Sequence, residues 1–256
     1  MSTRPNPALA LFAATVALAS MAAPADAQHA STAHWQYEGA DGPAHWGTLD
    51  GAYKKCSVGR QQSPIDIREA KAVDLPAITF SYKPSPLKVV DNGHTVQVTY
   101  APGSFIRVGD QRYELQQFHF HHPAEEKVSG KSYPMVAHLV HKNAAGQLAV
   151  VAVLLTKGTA NPLVAKLWKY LPPEHGKEVT PQNASVDATE LLPSAHGYFT
   201  FSGSLTTPPC SEGVTWFVLK APTQVSAGEI LTFARKYPHN ARPVQPLNGR
   251  EIKASQ

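Results

Sequence analysis

The sequence predicts one large, mainly β (α+β) domain with few helices, and three observations support this fold class. Short runs rich in β-branched and aromatic residues recur along most of the chain. Glycine, proline, asparagine and aspartate separate these runs, and a total of 22 prolines favours many loops. A chain of 256 residues with 43% hydrophobic content can bury one sizeable core, and no linker composition divides it.

Eight runs are predicted as strands. In chain order they are LKVV (87–90), HTVQVTY (94–100), SFIRV (104–108), YELQQFHF (113–120), MVAHLVH (135–141), LAVVAVLL (148–155), YFTFSG (198–203) and VTWFVLK (214–220). Turn residues lie between several of them, as at Asp91-Asn92-Gly93, Pro102-Gly103, Gly130 and 143–146. The run LAVVAVLL is apolar on both faces, which predicts a central strand.

Two segments are predicted as helices. In PLVAKLWKYL (162–171), Pro162 suits the first turn, where a backbone N–H donor is not needed. In SAGEILTFARKY (226–237), Ser226 and Glu229 have the spacing of a capping box, in which each side chain accepts a hydrogen bond from the other residue's backbone amide.

The first 27 residues have the pattern of a secretory signal peptide. Arg4 supplies the positive charge, ALALFAATVALASMAA (8–23) is the apolar region, and Ala25-Asp26-Ala27 fits the cleavage site. Cleavage there leaves a mature domain of residues 28–256, periplasmic or secreted. An uncleaved membrane anchor is the alternative, although the apolar run is short for a membrane span and no later segment is a candidate.

Cys56 and Cys210 are the two cysteines of the chain. In an exported protein such a pair predicts a disulfide. The bridge would close a loop of about 150 residues, for which the chain-entropy estimate is roughly 4 to 5 kcal/mol as an upper figure. Two unpaired buried thiols are the alternative, and a catalytic thiol is disfavoured because neither cysteine lies in a motif that lowers a thiol pKa.

The charge pattern argues against a nucleic-acid partner. The formal net charge is +4, 16% of residues are charged, and the sequence has no lysine/arginine block and no basic stripe with interleaved aromatics. The sequence also has no glycine-rich phosphate loop and no internal repeat.

The stretch FHFHHP (118–123) places three histidines in a predicted strand. His119 and His121 are two residues apart, so their side chains share one face while the flanking phenylalanines take the other. The next strand, MVAHLVH, can return antiparallel and bring His138 beside them. Three protein ligands and an open position are the pattern of a catalytic zinc site.

Strand alternation excludes two other histidines from this group. His122 points away from His121, and His141 lies three residues after His138, on the opposite face of its strand. We expect His122 not to be a ligand and His141 to be structural.

Several blocks together resemble the α-class carbonic anhydrases, closest to the exported bacterial members. The blocks are QSPIDI (62–67), DNGH (91–94), QFHFH (117–121), AHLVH (137–141), GSLTTPP (203–209) and RPVQPLNGREIKAS (242–255). The resemblance covers 34–255 and is highly specific in this order. It implies a central twisted, mostly antiparallel mixed sheet of about ten strands with a few peripheral helices.

The resemblance also implies the activity. In the family a Zn²⁺ ion is held by three histidines, which match His119, His121 and His138. The implied function is reversible hydration of carbon dioxide to bicarbonate and a proton by attack of zinc-bound hydroxide. An esterase side activity is plausible for the same nucleophile. The implied partner is this small-molecule substrate, and both a monomer and a homodimer stay open because the sequence has no interface signal.

The remaining roles follow by matching positions. Thr206 matches the threonine that accepts a hydrogen bond from the hydroxide and donates its own to a carboxylate, which matches Glu125. Without these neighbours Thr206 would be an ordinary turn residue. Holding the hydroxide in the orientation needed for attack on carbon dioxide lowers the entropic cost of the reaction. Thr207 matches a second polar position of the pocket. The substrate wall matches Val140, Val150, Leu205 and Trp216, each of which is also consistent with ordinary core.

A second group of positions concerns the proton and the polar network. His94 matches the proton shuttle, since histidine titrates near neutral pH; a turn histidine is the alternative. Tyr37, Asn92 and Gln97 match positions that order water, and Gln117 matches the residue that holds the first zinc histidine.

The chain departs from the family pattern at two positions. Glu126 stands where the family has histidine in S-E-H, and Val136 stands where it has a glutamate that accepts a hydrogen bond from the third zinc histidine. Losing such an acceptor typically costs about 10- to 100-fold in metal affinity or activity. We hypothesise that Glu126, facing Val136 across the hairpin, replaces the missing carboxylate. The alternative is a solvated Glu126 and a site that tolerates the loss.

Two other functions stay open. One is a catalytically inactive member of the family that binds or stores a ligand, although such members typically lack a zinc histidine. The other is a zinc hydrolase with an ester or phosphate substrate, which the narrow apolar wall disfavours.

Overall fold

The computed structural model of the protein describes residues 1–2 and 34–256. The predicted cleavage site and most of the predicted signal peptide therefore lie outside the described residues, as does the start of the mature domain at Gln28. Among the helices of the described part, none is long and apolar enough to cross a membrane.

Strands dominate the described chain. In chain order they are β1 (Asp66–Ile67), β2 (Lys71–Ala72), β3 (Ile78–Ser81), β4 (Ser85–Pro86), β5 (Val89–Asp91), β6 (Val96–Thr99), β7 (Phe105–Val108), β8 (Gln111–His121), β9 (Lys127–Val128), β10 (Met135–Lys142), β11 (Leu148–Lys157), β12 (Glu178–Val179), β13 (Ser185–Val186), β14 (Tyr198–Ser204), β15 (Glu212–Leu219), β16 (Thr223–Val225) and β17 (Lys253–Ala254). Each of the eight predicted runs forms one of them.

One mixed sheet contains 13 of these strands. Its main path has the order β12-β5-β6-β8-β10-β11-β15-β14-β17-β2, and β3, β7 and β16 pair beside this path. Most neighbours are antiparallel; β11 is parallel to β15 and β16, and β17 is parallel to β2. The mainly β fold with a central mixed sheet is confirmed, and β11, formed by LAVVAVLL, lies in the middle as predicted.

The helices are short and peripheral. They are α1 (Trp46–Leu49), α2 (Lys55–Val58), α3 (Pro162–Trp168) and α4 (Ala227–Lys236), with 3₁₀ turns at Gly39–Asp41, Gly51–Tyr53 and Ala188–Leu191. Both predicted helices are confirmed, with Pro162 in the first turn of α3 and the Ser226–Glu229 capping box at the start of α4. The sequence analysis missed α1 and α2, because four residues are too few for a helical period to be visible.

The sheet separates two groups of buried apolar side chains. The larger group includes Phe118, Leu139 and Val151, and the smaller one includes Val150 and Trp216. Alternation along β8 and β10 puts His119 and His138 on the face of the smaller group, because their neighbours Phe118 and Leu139 fill the larger one. The candidate site therefore lies on the face that has fewer apolar side chains to cover it.

Candidate metal centre

Strand register places two of the candidate ligands side by side. His119 on β8 is directly opposite His138 on β10, and on its other side it faces Gln97 of β6. His121 lies two residues further along β8 and shares the same face. One ligand atom from each of the three imidazoles can be chosen so that all lie within 4.8 Å of one another.

Each imidazole is fixed through one of its two nitrogens. Nδ1 of His119 is 2.8 Å from Oε1 of Gln117, and Nδ1 of His121 is 2.7 Å from the backbone oxygen of Asn240. Such acceptors hold the tautomer and the ring orientation of a metal-binding histidine. Nε2 is then the nitrogen available on both rings, and Nε2 of His121 is buried with no hydrogen-bond partner among the described residues.

The third imidazole is held by a carboxylate. Nε2 of His138 is 3.0 Å and 3.2 Å from the two oxygens of Glu126, so Nδ1 is the available nitrogen. Three imidazoles with one free nitrogen each, those of His121 and His138 buried and that of His119 half-buried, fit Zn²⁺ with an open coordination position.

The carboxylate that holds His138 comes from Glu126, in the connection before β9. Val136 pairs with His121 across the sheet. Glu126 instead belongs to the connection between β8 and β10, just before β9. The alternative of a solvated Glu126 is wrong, because its side chain is fully buried and both of its oxygens lie within 3.2 Å of Nε2 of His138.

Glu125 lies next to the free nitrogens. Its Oε1 accepts a hydrogen bond of 2.7 Å from the backbone amide of Arg242, and its Oε2 is 3.6 Å from Nε2 of His121. Burial raises the pKa of Glu125 to about 7, while the Arg242 amide and the hydroxyl of Thr206 act in the opposite direction. The interaction between Thr206 and Glu125 is the one that the family resemblance implies.

Burial also keeps two of the imidazoles neutral. It lowers the pKa of His119 to about 3 and lowers that of His121 well below the ordinary value, and the neighbouring imidazoles add to both shifts. Burial acts in the same direction on His138, but the Glu126 carboxylate raises the pKa of His138 above its ordinary value. Neutral imidazole is the form that binds a metal ion.

The three imidazoles lie in a cavity of about 250 Å³. Its apolar side is formed by Val140, Val150, Leu205 and Trp216. The register explains this wall, since Val140 is opposite Val150 and Val150 is opposite Trp216 on three adjacent strands. The wall is therefore one row of the sheet away from the row that contains His119 and His138.

The other side of the cavity is polar and includes the expected Tyr37, Asn92, His94, Gln97 and Thr207. The Asn92 side chain accepts hydrogen bonds of 2.9 Å from the amide of His94 and from the next amide, so it fixes the turn. Burial, and to a lesser degree the nearby imidazoles of His34 and His175, lower the pKa of His94.

A family model described as eukaryotic-type carbonic anhydrase matches residues 41–256. The chain belongs to the α-carbonic anhydrase family. A carbonic anhydrase of Nostoc sp. is 44% identical over 228 residues, covering 87% of this chain and 86% of the relative. The resemblance stated from the sequence is confirmed.

Two solved structures agree with this assignment. A hyperthermostable carbonic anhydrase from an active hydrothermal vent chimney is 44% identical with a TM-score of 0.84, covering 87% of this chain and 100% of that one. The α-carbonic anhydrase of Thermovibrio ammonificans, solved with the inhibitor sulfanilamide, is 41% identical with a TM-score of 0.84, covering 88% and 99%.

The disulfide of this α-carbonic anhydrase family member is present. Cys56 and Cys210 are bonded across 154 positions of sequence, so the alternative of free thiols is wrong. The amide of Cys210 donates to the Thr207 oxygen at 2.9 Å, and its carbonyl accepts from the Gln62 side chain at 3.0 Å. The bridge therefore anchors the loop that contains Thr206.

Sequence reasoning missed four residues around the centre. Trp35 and Thr95 line the cavity, the Asn240 carbonyl holds His121, and the Arg242 amide holds Glu125. Arg242 is almost fully buried, and its guanidinium donates to Gln62, Ser63 and Cys56. Asn240 and Arg242 contact His121 and Glu125 through backbone groups, and a residue type gives no signal of a backbone contact.

Proposed function

We propose that this protein is a zinc-dependent carbonic anhydrase that interconverts carbon dioxide and water with bicarbonate and a proton. One observation supports the proposal most strongly. Three imidazoles, each fixed through its outer nitrogen, direct their free nitrogens into a cavity that has one apolar and one polar side. This arrangement suits a small apolar substrate that becomes an anion.

His119, His121 and His138 would hold the Zn²⁺ ion. When bound, zinc supplies the low pKa that makes water a good nucleophile near neutral pH. Gln117, Asn240 and Glu126 fix the three rings, and the Glu126 carboxylate increases the basicity of His138.

The apolar row binds carbon dioxide. The molecule has no dipole and offers little to a hydrogen-bond donor, so Val140, Val150, Leu205 and Trp216 provide a surface that it can occupy in place of water. The Trp216 ring lies 5.0 Å from the His138 ring, centroid to centroid, which brings this surface next to the metal ligands.

Thr206 and Glu125 orient the attacking oxygen. Glu125 is held by the Arg242 amide, and as an anion it accepts a hydrogen bond from the Thr206 hydroxyl. Thr206 is then left with its oxygen as an acceptor, so it selects one orientation of the nucleophile. A bound divalent cation favours the anionic form of Glu125 over the neutral form that burial favours.

His94 removes the proton. It lies on the polar side of the cavity, away from the metal ligands, and is half-buried, so it has access both to the cavity and to solvent. A pKa lowered by burial speeds release of the proton to buffer. Tyr37, Asn92, Gln97 and Thr207 line the path between the ligands and His94.

We also propose that the protein is exported, with the first 27 residues as a cleaved signal peptide. The Cys56–Cys210 disulfide supports this, because such bonds persist in oxidising compartments. Mass spectrometry of the protein from the cell envelope tests it: a start at Gln28 is expected, and an intact N-terminus would contradict cleavage.

Stopped-flow carbon dioxide hydration by the mature, oxidised protein, with zinc content measured on the same sample, tests the proposed activity. We expect fast hydration at one zinc per chain. Full zinc with no hydration would contradict the proposal and favour a binding protein or a zinc hydrolase, which a panel of ester and phosphate substrates would separate. Ester turnover accompanied by hydration would be the expected side activity.

A further inference from the structure

A second cavity, of about 320 Å³, adjoins the first. Tyr37 and His94 line both cavities, so His94 stands between them. His175 and Lys236 line only the second one. None of the catalytic roles described above uses His175 or Lys236.

His175 is held by a buried carboxylate. Its Nδ1 is 2.8 Å from Oδ1 of Asp91, whose side chain is fully buried, while 66% of the His175 side chain is exposed. Lys236 and the Tyr237 hydroxyl also contact Asp91. Burial raises the pKa of Asp91, but the hydrogen bonds from Lys236, Tyr237 and His175 outweigh it and lower the pKa to about 2.

An ionised Asp91 fixes the tautomer of His175. A carboxylate only accepts hydrogen bonds, so Nδ1 of His175 has the proton and Nε2 is the basic nitrogen. An oriented imidazole with an exposed basic nitrogen is suited to transfer protons to solvent.

The same short segment fixes both histidines. The Asp91 side chain accepts a hydrogen bond of 3.0 Å from the amide of Gly93, in the turn that contains His94. The Asp91 backbone binds the loop of His175 through Gly176 at 2.6 Å and Lys177 at 3.3 Å. The positions of the two rings are therefore coupled through Asp91.

We infer that His175 is a second proton-relay residue, which accepts the proton from His94 across the second cavity and passes it to a buffer base in solution. The inference rests on the proposed function, because it needs a proton that leaves through His94. The His94 imidazolium gives one proton, through water for which the cavity has room, to Nε2 of neutral His175. The His175 imidazolium then gives that proton to the buffer base, and both imidazoles return to the neutral form.

The charges in the cavity favour this role over an anion-binding site. Lys236 is the strongest cation there, but its Nζ is 2.6 Å from Asp91, which neutralises it. Glu38 on the rim adds a negative charge. His94, His175 and His239 are the remaining basic groups of the cavity, and electrostatic repulsion from His175 adds to the lowering of the His94 pKa that burial causes.

Steady-state kinetics of His175→Gln test the relay. We expect kcat at low buffer concentration to fall several-fold, kcat/KM to stay unchanged because it does not include the final proton transfer, and high concentrations of imidazole buffer to restore kcat. His94→Ala should lower kcat further. His239→Gln is the matched control, since His239 lines the same cavity but is not among the described partners of Asp91, and it should behave like the wild-type enzyme.

NMR titration gives a second readout that does not depend on turnover. His175 lowers the pKa of His94, so His175→Gln should raise the pKa of His94 and His239→Gln should leave it unchanged. An unchanged His94 pKa in His175→Gln would overturn the coupling on which the relay depends.

The outcomes separate the two proposals. A wild-type enzyme without hydration activity contradicts the proposed function. An active enzyme in which His94→Ala lowers kcat and His175→Gln does not would overturn the relay alone. A parallel loss of kcat and kcat/KM in His175→Gln would also overturn it, because it would indicate a structural role for the His175–Asp91 contact.

Discussion

At the scale of single residues, Glu126 has the most specific role. It is a fully buried carboxylate 3.0 Å from Nε2 of His138, in a chain where Val136 occupies the position of the usual glutamate. Glu126→Gln removes the charge and keeps the shape, so the ring stays in place but binds metal less strongly. We expect zinc dissociation to become about 10- to 100-fold faster.

Transfer of zinc to a chromophoric chelator measures this rate. Glu178→Gln is the matched control, because Glu178 forms an exposed ion pair with Lys88 far from the ligands and its loss should leave the rate unchanged. An unchanged zinc off-rate in Glu126→Gln would show that the contact does not strengthen the site.

Asp91 gives a prediction about pH. Its pKa is lowered from the ordinary value of 3.8 to about 2, which corresponds to about 2 kcal/mol of stability. Because the folded-state pKa is the lower one, this contribution is fully present above pH 4 and is lost as the pH falls towards 2. The free energy of unfolding should therefore differ between wild type and Asp91→Asn by an amount that shrinks over this window.

Urea unfolding at a series of pH values measures the Asp91 contribution. Asp66→Asn is a control, because Asp66 pairs with the exposed Arg68 and does not contact the Asp91 cluster in the described structure. A constant difference between wild type and Asp91→Asn from pH 5 to pH 2 would contradict the assignment.

Residue-scale contacts were also where sequence reasoning reached its limit. The sequence indicated Glu126 as a partner of His138 because Val136 replaces the usual glutamate. It did not indicate which connection would bring Glu126 to that histidine. Asn240 is 119 positions from His121 and contributes a backbone oxygen, so no residue type and no local spacing indicates its role.

At the scale of elements, alternation made the metal site predictable. On β8 and β10 the two-residue period separates histidines from phenylalanine and leucine, and the same period extends to Val140 and Trp216 on neighbouring strands. The connections were not predictable in the same way. The segment between β8 and β10 contains β9. This strand pairs with β1, whose residues lie about 60 positions earlier in the chain.

The disulfide acts on one such connection. The loop after β14 contains Thr206 and is tied to Cys210 by the Thr207 carbonyl and by Gln62. Replacing both cysteines by serine should lower stability by about 2–5 kcal/mol. It should also lower kcat/KM several-fold at unchanged zinc content, because Thr206 loses its fixed position while the three histidines lie on other strands.

Hydration kinetics and zinc analysis of Cys56→Ser/Cys210→Ser, beside the reduced wild-type protein, measure these effects. The reduced wild type should behave like the double variant. Loss of zinc together with activity would contradict an effect confined to the loop, and full activity at full zinc would show that other contacts hold Thr206.

At the scale of the whole molecule, the fold was predictable because strand period, turn residues and the order of motif blocks all agreed. The two-residue strands, such as β12 at one edge of the large sheet and β13 in its separate pair with β4, were not predictable, because two residues have no period. The candidate site was predictable where it depends on side chains in regular strands, and less so where Arg242 and Asn240 reach it from the segment after α4.

The distribution of the core predicts how the molecule responds to loss of zinc. The larger apolar group lies on the face opposite the three histidines, and β11 is buried on both faces. Removing zinc should therefore lower stability without unfolding the sheet, unlike small domains that depend on their metal.

Zinc at about a hundredfold above its Kd adds about 2.7 kcal/mol to the free energy of unfolding, so we expect chelation to lower Tm by roughly 5–10 °C. Far-UV circular dichroism before and after chelation measures both quantities. A loss of the β signal at 25 °C would show that the three imidazoles need the metal to stay together, and that the sheet depends on them.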